Sequence, residues 1–201
     1  MNIIAIAGGS GSGKSYLAAT LKEKLKGNVA ILSYDRYYKV LTGMSLEERA
    51  KVNFDDPKSL DKDLFYAHLN ALKMGDSVEL PIYNFATHSR EKETIHLDPP
   101  ETLIVEGIMV LEEEDFLPLY DKTIFIDTEE AVRKNRRIVR DTKERGRTLD
   151  SVLEQWAESV QPMHERYVSP SRKNAEFLFQ NNGSNGIPEE DLAILLHYLN
   201  S

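Results

Sequence analysis

The stretch Gly8-Gly9-Ser10-Gly11-Ser12-Gly13-Lys14-Ser15 restricts what this chain can become more than any other part of it. It fits the pattern G-x-x-x-x-G-K-[ST], follows the apolar run Ile3-Ile4-Ala5-Ile6-Ala7 and precedes a helical pattern over 16–25. Glycines let the backbone wrap tightly enough for successive N–H groups to point inward at phosphate oxygens. The start of the next helix adds free N–H donors and a partial positive charge. In such a loop Lys14 reaches the β- and γ-phosphates and Ser15 offers its hydroxyl to Mg²⁺. The implied ligand is a nucleotide polyphosphate. The alternative, a flexible Gly/Ser turn, does not account for the strand and helix on either side.

Composition narrows the class. The chain of 201 residues is 41% hydrophobic and 29% charged, the balance of a soluble globular protein, and can hold one domain with a small insertion. No apolar run approaches the roughly 18 residues of a membrane span. The N-terminal apolar run is used as the strand feeding the loop and has no basic segment before it, so a signal peptide is not expected. With no Cys, disulfides and thiolate chemistry are excluded, and a cytoplasmic location is expected. A net charge of −8 argues against a nucleic-acid partner and requires the positive charge for a polyphosphate to be concentrated locally.

Further along, 29–33 reads as a second buried strand, and Asp35 follows at once. In open α/β sheets the ligand crevice lies beyond the carboxyl ends of the strands, where a carboxylate can accept a proton from an attacking hydroxyl. A turn-forming Asp is the other reading. Residues 42–60 read as polar and irregular, and 60–74 as a helix closed by Gly75. Two short strands, 79–85 and 93–97 joined by 86–90, read as a hairpin within an insertion over 77–97, with Pro81 on an edge strand. Residues 102–105 and 123–126 read as core strands, with Glu106 at the carboxyl end of the first, where Mg²⁺-associated carboxylates are often placed. Asp127 is expected to cap the next helix. A fifth strand is expected over 177–179, then a loop over 181–186 and a closing helix over 188–199.

Eight basic residues lie between Arg133 and Arg147. Arg133, Arg137 and Arg140 share one helical face, while Ala131, Val132, Ile138 and Val139 form an apolar stripe on another. A solvated face is the ordinary reading of a charge run, but this one is largely of one sign inside an acidic chain. With Gly146 as a hinge between Arg145 and Arg147, the segment 133–147 reads as a lid over phosphate.

With these residues laid out, the chain resembles the uridine kinase (uridine–cytidine kinase) family of P-loop phosphotransferases. The matching pieces are GGSGSGKS, YDRYYK, NFDDP, PIYNFATHSR, IVEGIM, RRIVRD, RGR and Gln155 followed by Val160-Gln161-Pro162, in order over roughly residues 3 to 175. The resemblance implies an α/β fold with a P-loop kinase-type parallel sheet of about five strands flanked by helices. It also implies an inserted β-hairpin for nucleoside binding within a single domain, 1–201, and a homo-oligomer, often a tetramer. Carried over, Asp35 is similar to the base that takes the proton of the ribose 5′-hydroxyl. Asp55 is similar to the carboxylate holding the 2′- and 3′-hydroxyls, helped by Arg137 and Gln155. Tyr38, Phe54, Tyr83 and Phe85 resemble aromatic walls around the base, although Phe54 and Phe85 serve equally well as packing. His88 resembles the group that reads the pyrimidine edge, and its spacing to the other histidines does not suggest zinc. Lys14 with Arg140, Arg145 and Arg147 resembles the set that stabilises the moving phosphoryl group, and Ser15 with Glu106 the Mg²⁺-associated pair.

The chain departs from the family pattern at Asn84, at Arg36 and over 175–183, the region near the donor's base, so the donor is ATP or GTP. The implied reaction is phosphorylation of the 5′-hydroxyl of uridine, and of cytidine, in pyrimidine salvage. Two other readings remain. One is a kinase for a sugar phosphate or vitamin precursor. The other is a nucleotide-dependent switch, against which stands the lack of an [NT]-K-x-D sequence.

Overall fold

The computed structural model describes residues 1–183 and 186–200. Five parallel strands form the central sheet: β1 (Asn2–Gly8), β2 (Val29–Ser33), β5 (Thr102–Glu106), β6 (Lys122–Asp127) and β7 (Phe177–Gln180), in the order β2-β5-β1-β6-β7. A parallel sheet covered on both faces needs strands apolar on both sides, and β1 meets that with Ile3 to Ala7 all buried. Alternate residues serve opposite layers. Ile3, Ala5 and Ala7 join a core with Leu103, Val105, Phe65, Leu69 and Phe116. Ile4 and Ile6 join another with Ile104, Ile124, Leu17, Leu21, Leu195 and Leu199.

Helix α1 (Lys14–Lys24) supplies Leu17 and Leu21, and α3 (Lys62–Met74) supplies Phe65 and Leu69. Because β1 sits between β5 and β6, the connections on its two sides run in opposite directions, and a crevice opens at its carboxyl end. The expected five core strands and the closing helix α8 (Glu189–Asn200) are present. The hairpin forms a separate two-stranded sheet of β3 (Val78–Asn84) and β4 (Ser89–Leu97). Its second strand begins at Ser89, four residues before the expected start, so the connection is only 85–88. Positions 184 and 185 of the expected loop lie outside the described residues.

Two local expectations are corrected. The stretch read as irregular, 42–60, contains α2 (Leu46–Ala50), started by a capping box in which Ser45 and Glu48 satisfy each other's backbone N–H. Asp127 does not cap α4 (Glu130–Lys143), whose N-cap position is Glu129 and carries no side-chain cap. Asp127 is instead the last residue of β6; its carboxylate pairs with Arg172 at 3.1 Å and accepts a bond from Gln180 Nε2 at 3.0 Å. Helix α4 turns its charged face inward, unlike the solvated face that is the ordinary reading of a charge run. Arg133, Arg137 and Asp141 are buried, whereas Val139 is 50% exposed. Hydrogen bonds and ion pairs to part of each guanidinium, set out below, make burying them tolerable, although Arg133 Nη1 and Arg137 Nε keep no hydrogen-bond partner.

Residues 149–174 form a winding helical segment that periodicity did not suggest. It comprises α5 (Leu149–Gln155), α6 (Gln161–Met163) and α7 (Ser169–Ser171), with π turns at Trp156–Val160 and His164–Val168. Pro162 and Pro170 have no amide hydrogen to return to Glu158 and Arg166, and those two carbonyls fall within the π turns.

Candidate active site

The phosphate loop joins β1 to α1 in a backbone path only glycine tolerates. Gly13 has φ +101°, and a Cβ there would lie 2.5 Å from Asn181 Nδ2. Gly11, at φ +81°, would drive a Cβ into the carbonyl of Arg133. The loop is held closed by Ser12 N–H donating to Gly9 O at 3.0 Å, and Lys14 Nζ donates to the same carbonyl at 3.0 Å. From outside, Asn181 Nδ2 donates to Ser12 O at 2.7 Å and Arg137 Nη1 to Ser10 Oγ at 2.8 Å. The inward face of α4 is therefore part of the loop's wall. Two buried polar atoms in this wall, Ser12 Oγ and Arg133 Nη1, have no hydrogen-bond partner. Polar atoms left over at a glycine-rich helix start suit an anionic ligand.

Ser15 begins α1 and Glu106 ends β5, and Ser15 Oγ donates to Glu106 Oε2 at 3.4 Å. One hydroxyl and one carboxylate beside a phosphate cradle are a hard-oxygen donor set suited to Mg²⁺, which takes few protein ligands and keeps water and phosphate oxygens. Asp35 sits in the turn after β2 and retains partial exposure. Burial raises its pKa, while Lys14, Arg145, Arg140 and Arg137 pull it down. Glu106 is likewise raised by burial and by Asp35, with Lys14 opposing. Lys14 is lowered by burial, against the pull of Glu106 and Asp35. Two carboxylates and one ammonium thus share the end of the sheet.

Beyond Asp35 the cleft becomes aromatic. Tyr38 packs on Phe54 at 5.2 Å and on Tyr83 at 5.0 Å, and Tyr83 on Phe85 at 5.1 Å between ring centroids. His88 stacks on Phe54 at 5.0 Å and 13°, at the tip of the hairpin, with φ +48°. Burial lowers its pKa, and Arg147 and Arg49 lower it further, which keeps the ring neutral near pH 7. Asp55 is 8% exposed; burial and Asp35 raise its pKa while Arg137, Lys14 and Arg140 oppose. The buried hydroxyl of Tyr83 has no hydrogen-bond partner, so a polar group is accommodated among these rings.

The two departures near the hairpin have local roles. Asn84 Oδ1 accepts from the N–H groups of Ala86 and Thr87 at 2.9 and 3.2 Å, forming the turn that an acidic residue also can. Arg36 Nη1 donates to Pro81 O at 3.4 Å and ties the turn bearing Asp35 to β3.

Contacts gather the expected residues in groups: Ser15 with Glu106, Tyr38, Phe54, Tyr83, Phe85 and His88 with one another, and Arg137 with Ser10 and Gln155. Gln155 Oε1 accepts from Arg137 Nη2 at 2.8 Å and also from Arg147 Nη1. Sequence reasoning missed Asp141, whose fully buried carboxylate pairs with Arg137, Arg140, Arg145 and Arg147. The i,i+4 spacings of Arg137 to Asp141 and of Asp141 to Arg145 were the available signal. It also missed Arg136, whose Nη2 donates to Gly183 O at 2.5 Å, and the contact of Arg133 with Trp156 at 5.4 Å.

Comparison with known proteins gives a consistent picture. The family model described as "Phosphoribulokinase / Uridine kinase family" matches residues 3–188. The uridine kinase of Staphylococcus epidermidis (strain ATCC 35984) is 44% identical over 92% of this chain and 90% of its own length. That of Bacillus pumilus is 42% identical over 92% and 89%. Among solved structures, phosphoribulokinase from Rhodobacter spheroides superposes with a TM-score of 0.63 at 14% identity, over 89% of this chain and 69% of that one, a likeness of fold alone.

Proposed function

The chain belongs to the phosphoribulokinase/uridine kinase family, and on that premise we propose that it transfers the γ-phosphate of ATP to the 5′-hydroxyl of uridine and cytidine. The products are the nucleoside monophosphates, a step of pyrimidine salvage. One observation supports the reading: Asp35 lies within electrostatic reach of Lys14, Arg145, Arg140 and Arg137 and also of Tyr38 and Tyr83. A carboxylate with those neighbours is suited to act as proton acceptor between a phosphate cradle and an aromatic, acid-bearing pocket.

In this reading Asp35 accepts the 5′-hydroxyl proton as the oxygen attacks, and its raised pKa makes it a better acceptor than an ordinary exposed carboxylate. Asp55, with Arg137 and Gln155, takes hydrogen bonds from the 2′- and 3′-hydroxyls, since one carboxylate can serve two vicinal donors. Tyr38, Phe54, Tyr83 and Phe85 enclose the base, and neutral His88 meets its polar edge. The loop from Gly8 to Ser15 cradles the donor phosphates. Lys14, Arg140, Arg145 and Arg147 stabilise the charge spread over the phosphoryl oxygens in transit. Ser15 and Glu106 would hold Mg²⁺, which would supply neutralising positive charge to the donor phosphates. Residues 133–147 act as the lid that excludes water, which otherwise competes as acceptor.

ATP is the proposed donor, with GTP as a second, and the partner is a small nucleoside rather than a nucleic acid. We place the protein in the cytoplasm as a homo-oligomer, a tetramer by family resemblance. Among the described residues no helix is long and apolar enough to cross a membrane. The test is a panel of acceptors with labelled ATP, then kinetics with uridine and cytidine and with ATP and GTP. Label should pass to UMP and CMP. Transfer only to a sugar phosphate, or ADP release indifferent to nucleoside, overturns the proposal.

A further inference from the structure

We propose that Asp141 is a positioning residue for phosphoryl transfer, a buried carboxylate that gathers four guanidiniums and aims their surplus charge at the cleft. This rests on the phosphotransferase reading above. Asp141 Oδ1 lies 2.8 Å from Arg140 Nε and 3.5 Å from Arg145 Nη1. Its Oδ2 lies 3.3 Å from Arg137 Nε and 4.0 Å from Arg147 Nη1. One anion cannot neutralise four cations, so three positive charges remain for the cleft, where Asp35 and Asp55 face them. The four contacts are unequal. Arg137 is nearly buried and braced by Ser10 and Gln155, while the side chains of Arg145 and Arg147 stay 36% and 29% exposed at the longer distances. Arg147 is held further by Gln155 and Ser151 and Arg145 rests on Phe85, so Asp141 is the shared anchor that sets all four guanidiniums beside one another at the cleft.

Helix stability does not account for the carboxylate. Asp141 lies in the last turn of α4, where the helix dipole disfavours negative charge. It is fully buried, and its Oδ2 makes no hydrogen bond. The backbone adds a second constraint: after Gly146, at φ +64°, the chain folds back so that Arg147 N–H donates to Asp141 O at 3.1 Å. The same residue therefore sets both the helical and the loop arginines.

The test is Asp141→Asn, which keeps the shape and removes the charge. Turnover of uridine should fall about 10- to 100-fold, with ADP affinity changed by less than about threefold. Binding of ADP with aluminium fluoride and uridine, a mimic of the phosphoryl in transit, should weaken in proportion to turnover. Combination with Arg145→Gln should cost less than the product of the separate losses. Unchanged turnover, equal losses for ADP and for the fluoride complex, or independent effects would overturn the proposal. Should Asp141→Asn fail to fold, Asp141→Glu keeps the charge but displaces the arginines. Turnover several-fold down with ADP binding intact then supports the role, and normal turnover overturns it. The parent protein is assayed first: no UMP from it overturns the phosphotransferase reading itself, whereas normal parent and variant turnover overturns only the role of Asp141.

Discussion

The guanidinium of Arg145 lies over the ring of Phe85, 4.9 Å from its centroid. This joins the loop after α4 to the end of β3, so the arginine-rich segment and the hairpin touch across the cleft. A residue proposed to stabilise phosphoryl charge thereby rests on a ring proposed to line the nucleoside pocket.

This contact predicts coupling between acceptor binding and catalysis. Phe85 is 44% exposed, and a cation–π pair at such a site contributes about 0.5–1 kcal/mol. Phe85→Leu should lower kcat/KM for uridine by about three- to fivefold through lost wall and lost contact. A double-mutant cycle with Arg145→Gln should give a coupling of that order. Strict additivity would mean that the pair is only a surface contact.

Asp35→Asn should reduce kcat by roughly 10²–10⁴ while nucleoside affinity changes little, the scale for loss of a positioned base. Because burial raises the Asp35 pKa, the acid limb of kcat should lie above the ordinary carboxylate range. Activity should rise with pH as the group deprotonates, and the limb should vanish in the variant. Near-normal turnover in Asp35→Asn would remove Asp35 from the chemistry.

Asp55→Ala should raise KM for uridine about tenfold or more, with a smaller effect on kcat, since the lost bonds belong to ground state and transition state alike. The parent should bind 2′,3′-dideoxyuridine correspondingly weakly. Equal affinity for the two nucleosides would detach Asp55 from the ribose. Its raised pKa adds a sign: nucleoside affinity should weaken on acidification, as the carboxylate protonates, at a pH above the usual carboxylate range.

His164 makes a prediction about stability. Burial, with Arg133 and Lys14 adjoining and Asp127 opposing, lowers its pKa from 6.5 to about 4. The unfolded chain then binds the extra proton first as pH falls, so stability is lost between about pH 6.5 and 4, up to roughly 3 kcal/mol. The buried carboxylates work the other way, being raised in the folded state, so the variant isolates the term. His164→Gln should flatten the denaturant-midpoint profile across that window. An unchanged profile would show that His164 is not buried neutral.

Much of the site was legible because its parts are local. A glycine-rich loop is a matter of backbone conformation within eight residues, and Glu106 and Asp35 follow directly from strands whose apolar runs mark their ends. Asp127 misled because a cap and a strand end look alike in sequence. The helical segment 149–174 was hidden because its two prolines and two π turns break the regular period on which helix reading depends.

From the chain alone came the phosphate cradle and the buried parallel strands, since each depends on short-range stereochemistry or continuous apolar runs. The residues proposed to face a nucleoside came from the ordered motifs of the family resemblance. Which side of α4 is buried was decided only by tertiary structure. The sequence showed both a charged and an apolar face, and Arg133 and Arg137 went inward because Thr128 O, Gln161, Ser10 and Gln155 supply acceptors there and Asp141 an opposite charge. A hydrophobic pattern records what water rejects. It does not record where distant parts of the chain will assemble enough oxygen atoms to hold a buried charge.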